Sequence, residues 1–180
     1  PGSTVYSFGT AGCNLLCKFC QNWDISKAHE DDVLAASATP KKIAKIAKEY
    51  GCRSVAFTYN EPTIFMEYAI DVAKECRKLG IKTVAVTNGY ICDEPRKEFF
   101  SYIDAVNVDL KGFTEGFYKG ITGSHLQPVL DTLVYLKKNT NIWFEIATLL
   151  IPDENDSASE VDASTKWLAE NLGVDRSEEH

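Results

Sequence analysis

Five short runs of β-branched and aromatic residues recur along the chain, and each is followed by a stretch with a different character, mostly helical. That alternation limits the fold more than any other feature. The runs read as strands at residues 5–8, 54–59, 82–87, 105–110 and 142–151. Thr39 and Pro40 supply an N-cap and a first-turn proline for a helix with Ile43, Ala44, Ile46, Ala47 and Tyr50 on one stripe, ended by Gly51. A second stripe of Phe65, Ala69, Val72, Ala73, Cys76 and Leu79 ends at Gly80. Further helices are expected near 93–103, 114–119 and 125–139. A last helix opens on a capping box of Ser159 and Asp162 and stops at Gly173. Apolar strands alternating with helices build a parallel sheet covered by those helices. The expected fold is α/β: one domain over residues 1–173 and a polar, frayed tail at 174–180. Five strands are too few for a closed parallel barrel, so the sheet is open or cut short.

Each strand leads into a polar segment. The first runs into a cysteine loop and the second into Tyr59-Asn60-Glu61-Pro62. The third ends in Thr87-Asn88-Gly89, the fourth in Asp109-Leu110-Lys111-Gly112, and the fifth in Pro152-Asp153-Glu154-Asn155-Asp156. The carboxyl ends of parallel strands share one face, where α/β folds bind ligands. Five polar segments are therefore expected to converge on a single site.

The cysteine loop, GCNLLCKFC, spaces Cys13, Cys17 and Cys20 as C-x3-C-x2-C. A disulfide framework suits small chains without a core, and this one has 180 residues, 44% of them hydrophobic. Close clustering favours metal in a reducing compartment. Structural zinc wants four ligands. The other thiols are poor candidates for the fourth, because Cys76 lies on a core stripe and Cys52 enters a strand. An iron–sulfur cubane held by three cysteines leaves one iron open to a small molecule. A net charge of −7 argues against a general grip on nucleic acid. No apolar run approaches the roughly 20 residues of a membrane span. The chain opens on Pro1, so the lack of a signal peptide carries little weight.

The stretch Cys13-Asn14-Leu15-Leu16-Cys17-Lys18-Phe19-Cys20-Gln21-Asn22 resembles the radical S-adenosylmethionine (SAM) superfamily. Tyr59-Asn60-Glu61-Pro62 is similar to that family's Gly-Gly-Glu-Pro segment, and Thr87-Asn88-Gly89 and Asp109-Leu110-Lys111 to segments of pyruvate formate-lyase activating enzymes. The likeness extends to the AmmeMemoRadiSam-system branch through YSFGTAGCNLLCKFCQNWDIS, FTYNEPTIF, VTNGY, VDLKGF and LLIP-x-END-S, over roughly residues 1–173. It implies a partial TIM-type (β/α)6 barrel, truncated here after the fifth strand–helix unit and so weak in activity.

It also implies an oxidoreductase that cleaves SAM reductively at a [4Fe-4S] cluster. The products are methionine and a 5′-deoxyadenosyl radical for hydrogen abstraction, with a glycyl-radical-activating type as one form. By this resemblance Cys13, Cys17 and Cys20 hold the cluster and Phe19 lies by the adenine. Asn60 and Glu61 meet the methionine amino group, and Thr87 and Asn88 line the same cleft. Asp109 takes ribose hydroxyls or a monovalent cation, Lys111 the methionine carboxylate, and Ile151 and Asn155 flank the adenosyl group. A cytoplasmic reductant such as flavodoxin or ferredoxin is implied, with a protein, peptide or small molecule as substrate and neither nucleic acid nor membrane as partner.

There are departures. Tyr59 and Asn60 replace the glycine pair, Val86 replaces an acidic residue near the cation position, and Asp153 stands where a glycine is usual and asks for a positive φ. An electron-transfer iron–sulfur module and a zinc-stabilised binding domain are the alternative readings. Glu145, inside an apolar run, needs a partner, with Lys111 as one candidate. His29 and His125 read as surface residues, and Trp23 as a packing lid.

Overall fold

The computed structural model describes residues 2–28 and 36–173, and the backbone of 177–179. Among the described residues six strands form one parallel sheet in the order β1 to β6: Val5–Phe8, Ser54–Phe57, Lys82–Thr87, Ala105–Asp109, Trp143–Thr148 and Ser177–Glu179. Among the described residues each strand pairs only with its neighbours in chain order, so the sheet is an open half-barrel. The helices are α1 (Trp23–Ser26), α2 (Pro40–Glu49), α3 (Met66–Lys78), α4 (Asp93–Phe100), α5 (Glu115–Phe117), α6 (Leu126–Asn139) and α7 (Ala158–Leu172). A 3-10 turn, Pro62–Phe65, precedes α3, and a π-turn, Tyr118–Thr122, follows α5.

One strand face makes the core. Val55, Phe57, Ala85, Val106, Val108, Phe144 and Ile146 are buried in a single cluster with Ala69, Val72, Leu133 and Leu136 from the helices. The alternate residues, among them Val84, Val86, Asn107 and Glu145, are only partly buried. Period-two alternation thus separates a helix-covered face from a concave one. This differs from strands covered on both faces, because an open half-barrel leaves its inner side uncovered.

Several local expectations hold. Thr39 caps α2, accepting from the Lys42 amide at 3.3 Å, and Cys76 is fully buried on α3. Others shift. Tyr50 is 75% exposed rather than on the core stripe, because α2 already ends at Glu49. The cap of α7 is Ser157, not Ser159: its Oγ accepts from the Glu160 amide at 3.2 Å. Trp23 is half exposed, with the Lys27 ammonium 5.4 Å from its ring centroid, and is no lid. The tail, expected to fray, contributes three residues to the ladder beside β5, so a short sixth strand is present. His29 lies outside the described residues.

Asp153 adopts φ 66, the left-handed conformation its place in the turn demands. Its side chain is exposed. Asp153→Gly is therefore expected to raise stability by about 0.5 kcal/mol, since aspartate tolerates this region better than most residues. Urea unfolding checks it, and a lower midpoint would show that the turn carries no strain.

Candidate functional site

The carboxyl ends of β1 to β5 surround a cleft of about 350 Å³, within the range of small-molecule sites. Cys13, Cys17 and Cys20 line it as free, partly exposed thiols. Phe19, Asn60, Glu61, Asn88, Asp109 and Lys111 line the same cleft. Burial pushes the Cys13 and Cys17 thiols up, and the Lys111 ammonium pulls Cys17 part of the way back. Cys20 Sγ lies 3.5 Å from Ser26 Oγ.

The cysteine loop carries little core of its own and is held from outside. The Leu16 and Lys18 amides donate to the Thr122 and Ile121 carbonyls at 2.8 and 3.0 Å. Those carbonyls are the last two of the π-turn, where a helix end leaves its carbonyls without an intrahelical partner. The contact is close: a Cβ at Gly123 would stand 3.1 Å from Leu16 Cβ. Lys27 Nζ donates to the Leu15 carbonyl at 2.8 Å, and Leu15 itself is buried.

Glu61 is 1% exposed and still lines the cleft. Its Oε1 accepts from the Thr63 amide (3.0 Å), Thr63 Oγ1 (2.6 Å) and Thr87 Oγ1 (2.8 Å), and its Oε2 from the Asn88 amide (2.8 Å). Burial raises its pKa, and these donors only partly oppose the rise. Oε2, with one donor, keeps acceptor capacity for a ligand. A buried carboxylate in this state suits an ammonium group.

Asn88 extends the network. Its Nδ2 donates to Asn14 Oδ1 at 2.8 Å, and Asn14 Nδ2 donates to the Tyr90 carbonyl at 2.8 Å. The residue after Cys13 is thereby tied to the loop after β3. Asp109 and Lys111 form an ion pair at 2.7 Å inside the cleft. Burial alone would lower the lysine's pKa, but Asp109, with Cys17 and Glu61, more than offsets it and the net direction is upward. Lys111 is thus cationic and already partnered, and Glu145 makes no ion pair among the described residues. Phe19 packs against Phe117 with ring centroids 6.0 Å apart.

Three of the residues expected in the site stand elsewhere. Thr87 is buried behind Glu61. Asn155 spends its side chain on the backbone: Oδ1 accepts from the Ile151 amide at 2.6 Å, and Nδ2 donates to the Lys111 and Leu149 carbonyls at 2.8 and 3.0 Å. Ile151 joins it in that turn and does not line the cleft. Sequence reasoning missed Tyr59, Ser26, Thr58 and Leu149 among the lining residues. It also missed the Asn14–Asn88 bridge. Only Tyr59 carried a signal, as a bulky residue in a glycine position.

The family model of the radical SAM superfamily matches residues 8–164. The chain belongs to the radical SAM superfamily. It is 36% identical over 173 residues to uncharacterized protein MJ0808 of Methanocaldococcus jannaschii, covering 96% of this chain and 51% of that protein. It therefore spans about half the length of that relative. It is 29% identical to the pyruvate formate-lyase-activating enzyme of Clostridium pasteurianum over 83% of this chain and 63% of that enzyme. The fold superposes on Streptococcus suis SuiB bound to precursor peptide SuiA with TM-score 0.74 at 19% identity, over 97% of this chain and 38% of SuiB.

Membership of that superfamily implies SAM and a [4Fe-4S] cluster as cofactors. The radical SAM cofactors are compatible with the cleft. Among the described residues no three Cys, His, Asp or Glu side chains gather around one point as a single-ion site requires. A cluster that takes one thiolate at each of several irons needs no such gathering. No described helix is long and apolar enough to cross a membrane.

Proposed function

We propose that Cys13, Cys17 and Cys20 hold a [4Fe-4S] cluster whose open iron is met by SAM in the adjoining cleft. The observation that carries this reading is the meeting of three free thiols, a buried carboxylate and a cationic lysine at one cleft. When bound, the two cofactors supply one-electron cleavage of a sulfonium bond and, through it, hydrogen-atom abstraction.

The chain's own residues bind, orient and exclude water. Glu61 Oε2 and the backbone at Asn60 take the methionine ammonium, and Lys111 takes its carboxylate, so the zwitterion is matched charge for charge. Asp109 holds Lys111 in place and faces the ribose hydroxyls. Its charge is already met by Lys111, which weighs against a monovalent cation there. Phe19, against Phe117, offers a face for the adenine. Thr87 and Asn88 act through Glu61, by fixing its carboxylate. Asn155 and Ile151 shape the loop beyond Lys111.

Lys111→Met keeps the stem and removes the charge. It is expected to weaken SAM binding about 30-fold, the scale of losing one partner of a partly buried ion pair. Equilibrium binding measures this, and unchanged affinity would remove Lys111 from the site.

The likeness to pyruvate formate-lyase activating enzymes supports a protein or peptide, such as one carrying a reactive glycine, as the hydrogen donor. A flavodoxin or ferredoxin in the reducing cytoplasm is the proposed electron source. Anaerobic reconstitution with iron and sulfide, followed by EPR before and after SAM, tests the reading. A cluster signal that changes on addition, with 5′-deoxyadenosine formed under reduction, is expected. A signal indifferent to SAM points to an electron carrier, and tight uptake of zinc alone to a structural site.

A further inference from the structure

We propose that Asn60 is a positioning residue that clips residues 9–12 so that Cys13 is set for cluster binding before iron arrives. This rests on the cluster reading of the three thiols. Where the resembled family has a glycine, Asn60 brings a carboxamide, and its hydrogen bonds go to one short segment. Nδ2 donates to the Thr10 carbonyl at 2.8 Å, the Gly12 carbonyl at 2.7 Å and Thr10 Oγ1 at 3.3 Å. Oδ1 accepts from the Thr10 amide at 3.3 Å.

The Gly12 carbonyl belongs to the peptide that joins Gly12 to Cys13, so the clip acts on the bond leading into the ligand. On the other side the Gly12 amide donates to the Ile25 carbonyl at 2.8 Å. The segment itself contributes no side chain to the buried core. Holding it does little for the fold and much for the thiol next in the chain.

The surroundings are fitted to the amide. A Cβ at Gly9 would stand 2.5 Å from Asn60 Oδ1 and would also collide with the Thr58 carbonyl. The preceding residue, Tyr59, adopts φ 73, an outlier for a bulky side chain. Its phenol is pinned 2.8 Å from Ser7 Oγ. Strain of this kind persists where the neighbourhood over-determines it, and here the strained turn delivers Asn60 to the cysteine loop.

The test is residue-resolved iodoacetamide labelling of the iron-free chain, read by mass spectrometry, for the unaltered protein, Asn60→Gly and Asn60→Asp. Asn60→Asp keeps the shape but turns a carboxylate oxygen on the Thr10 and Gly12 carbonyls. Both variants are expected to label Cys13 about tenfold faster, the factor that corresponds to losing about one net hydrogen bond. Buried Cys76 should be unchanged. Equal Cys13 rates in all three proteins overturn the proposal. So does parallel acceleration at Cys76, which reports general loosening. After reconstitution, iron loss to a chelator should be about tenfold faster in both variants, and equal loss rates overturn the proposal. If the unaltered protein takes up no cluster while Cys13 labelling still responds, the clip stands and the cluster reading falls.

Discussion

Replacing any one of Cys13, Cys17 or Cys20 by alanine is expected to abolish cluster uptake and 5′-deoxyadenosine formation. The loss should exceed the roughly 10–100-fold that attends removal of an outer partner, because a proposed ligand itself is gone. All three thiols open on one cleft, and the remaining cysteines cannot substitute. Cys52 and Cys76 are buried in the core, and Cys92, exposed at the start of α4, does not line the cleft. Iron and sulfide content, together with product yield, reads the result. Cys76→Ala serves as the contrast, costing about 1 kcal/mol of stability through lost packing and leaving cluster content unchanged. A cluster that survives loss of one of the three would move the ligand set elsewhere.

Glu61→Gln is the second large effect. The carboxylate satisfies four donors at Thr63, Thr87 and Asn88. A glutamine amide can accept through one oxygen only, so its NH2 must face the Asn88 or Thr63 amide. Leaving such a buried donor unpaired costs about 2–3 kcal/mol. SAM affinity is expected to fall about 100-fold as the ammonium loses its counter-charge. Chemical unfolding and equilibrium binding report the two losses separately. Unchanged SAM affinity would assign Glu61 a purely structural place.

The same carboxylate sets a pH dependence. Burial raises its pKa in the folded chain, so it protonates at a higher pH than an ordinary glutamate. SAM affinity should fall as pH drops through that raised value. Stability moves the other way: a raised folded-state pKa favours the fold most below the unfolded value, and that contribution is lost as pH rises through the folded one. Binding and unfolding curves measured across the same pH series should therefore diverge. Parallel curves would place the titration on another group.

Much of the site was legible because it sits where short motifs meet strand ends. Val106 and Val108 on one face of β4 reveal a strand, and Asp109 and Lys111 beyond them an active rim. The illegible part depends on contacts across large sequence separations. The bridge from Asn14 to Asn88 spans 74 residues, and no periodicity announces it. The segment after Thr114 reads as an ordinary helix. It holds a π-turn, and the Thr122 and Ile121 carbonyls at its end accept from the cysteine loop about a hundred residues away. The hydrogen bonds by which the Asn155 amide holds its own turn are likewise invisible in the motif that carries it.

From its sequence alone this protein is a parallel α/β chain with three thiols and a set of polar groups at the carboxyl ends of its strands. Those properties come from hydrophobic periodicity and residue chemistry, which are local. The tertiary structure decided which polar groups face the cleft and which hold the others still. Only packing can bury Glu61 among four donors, pair Lys111 with Asp109, and bend the chain at Tyr59 so that Asn60 reaches the cysteine loop. Each of these depends on where distant backbone atoms come to rest, and distance in space is not written in spacing along the chain.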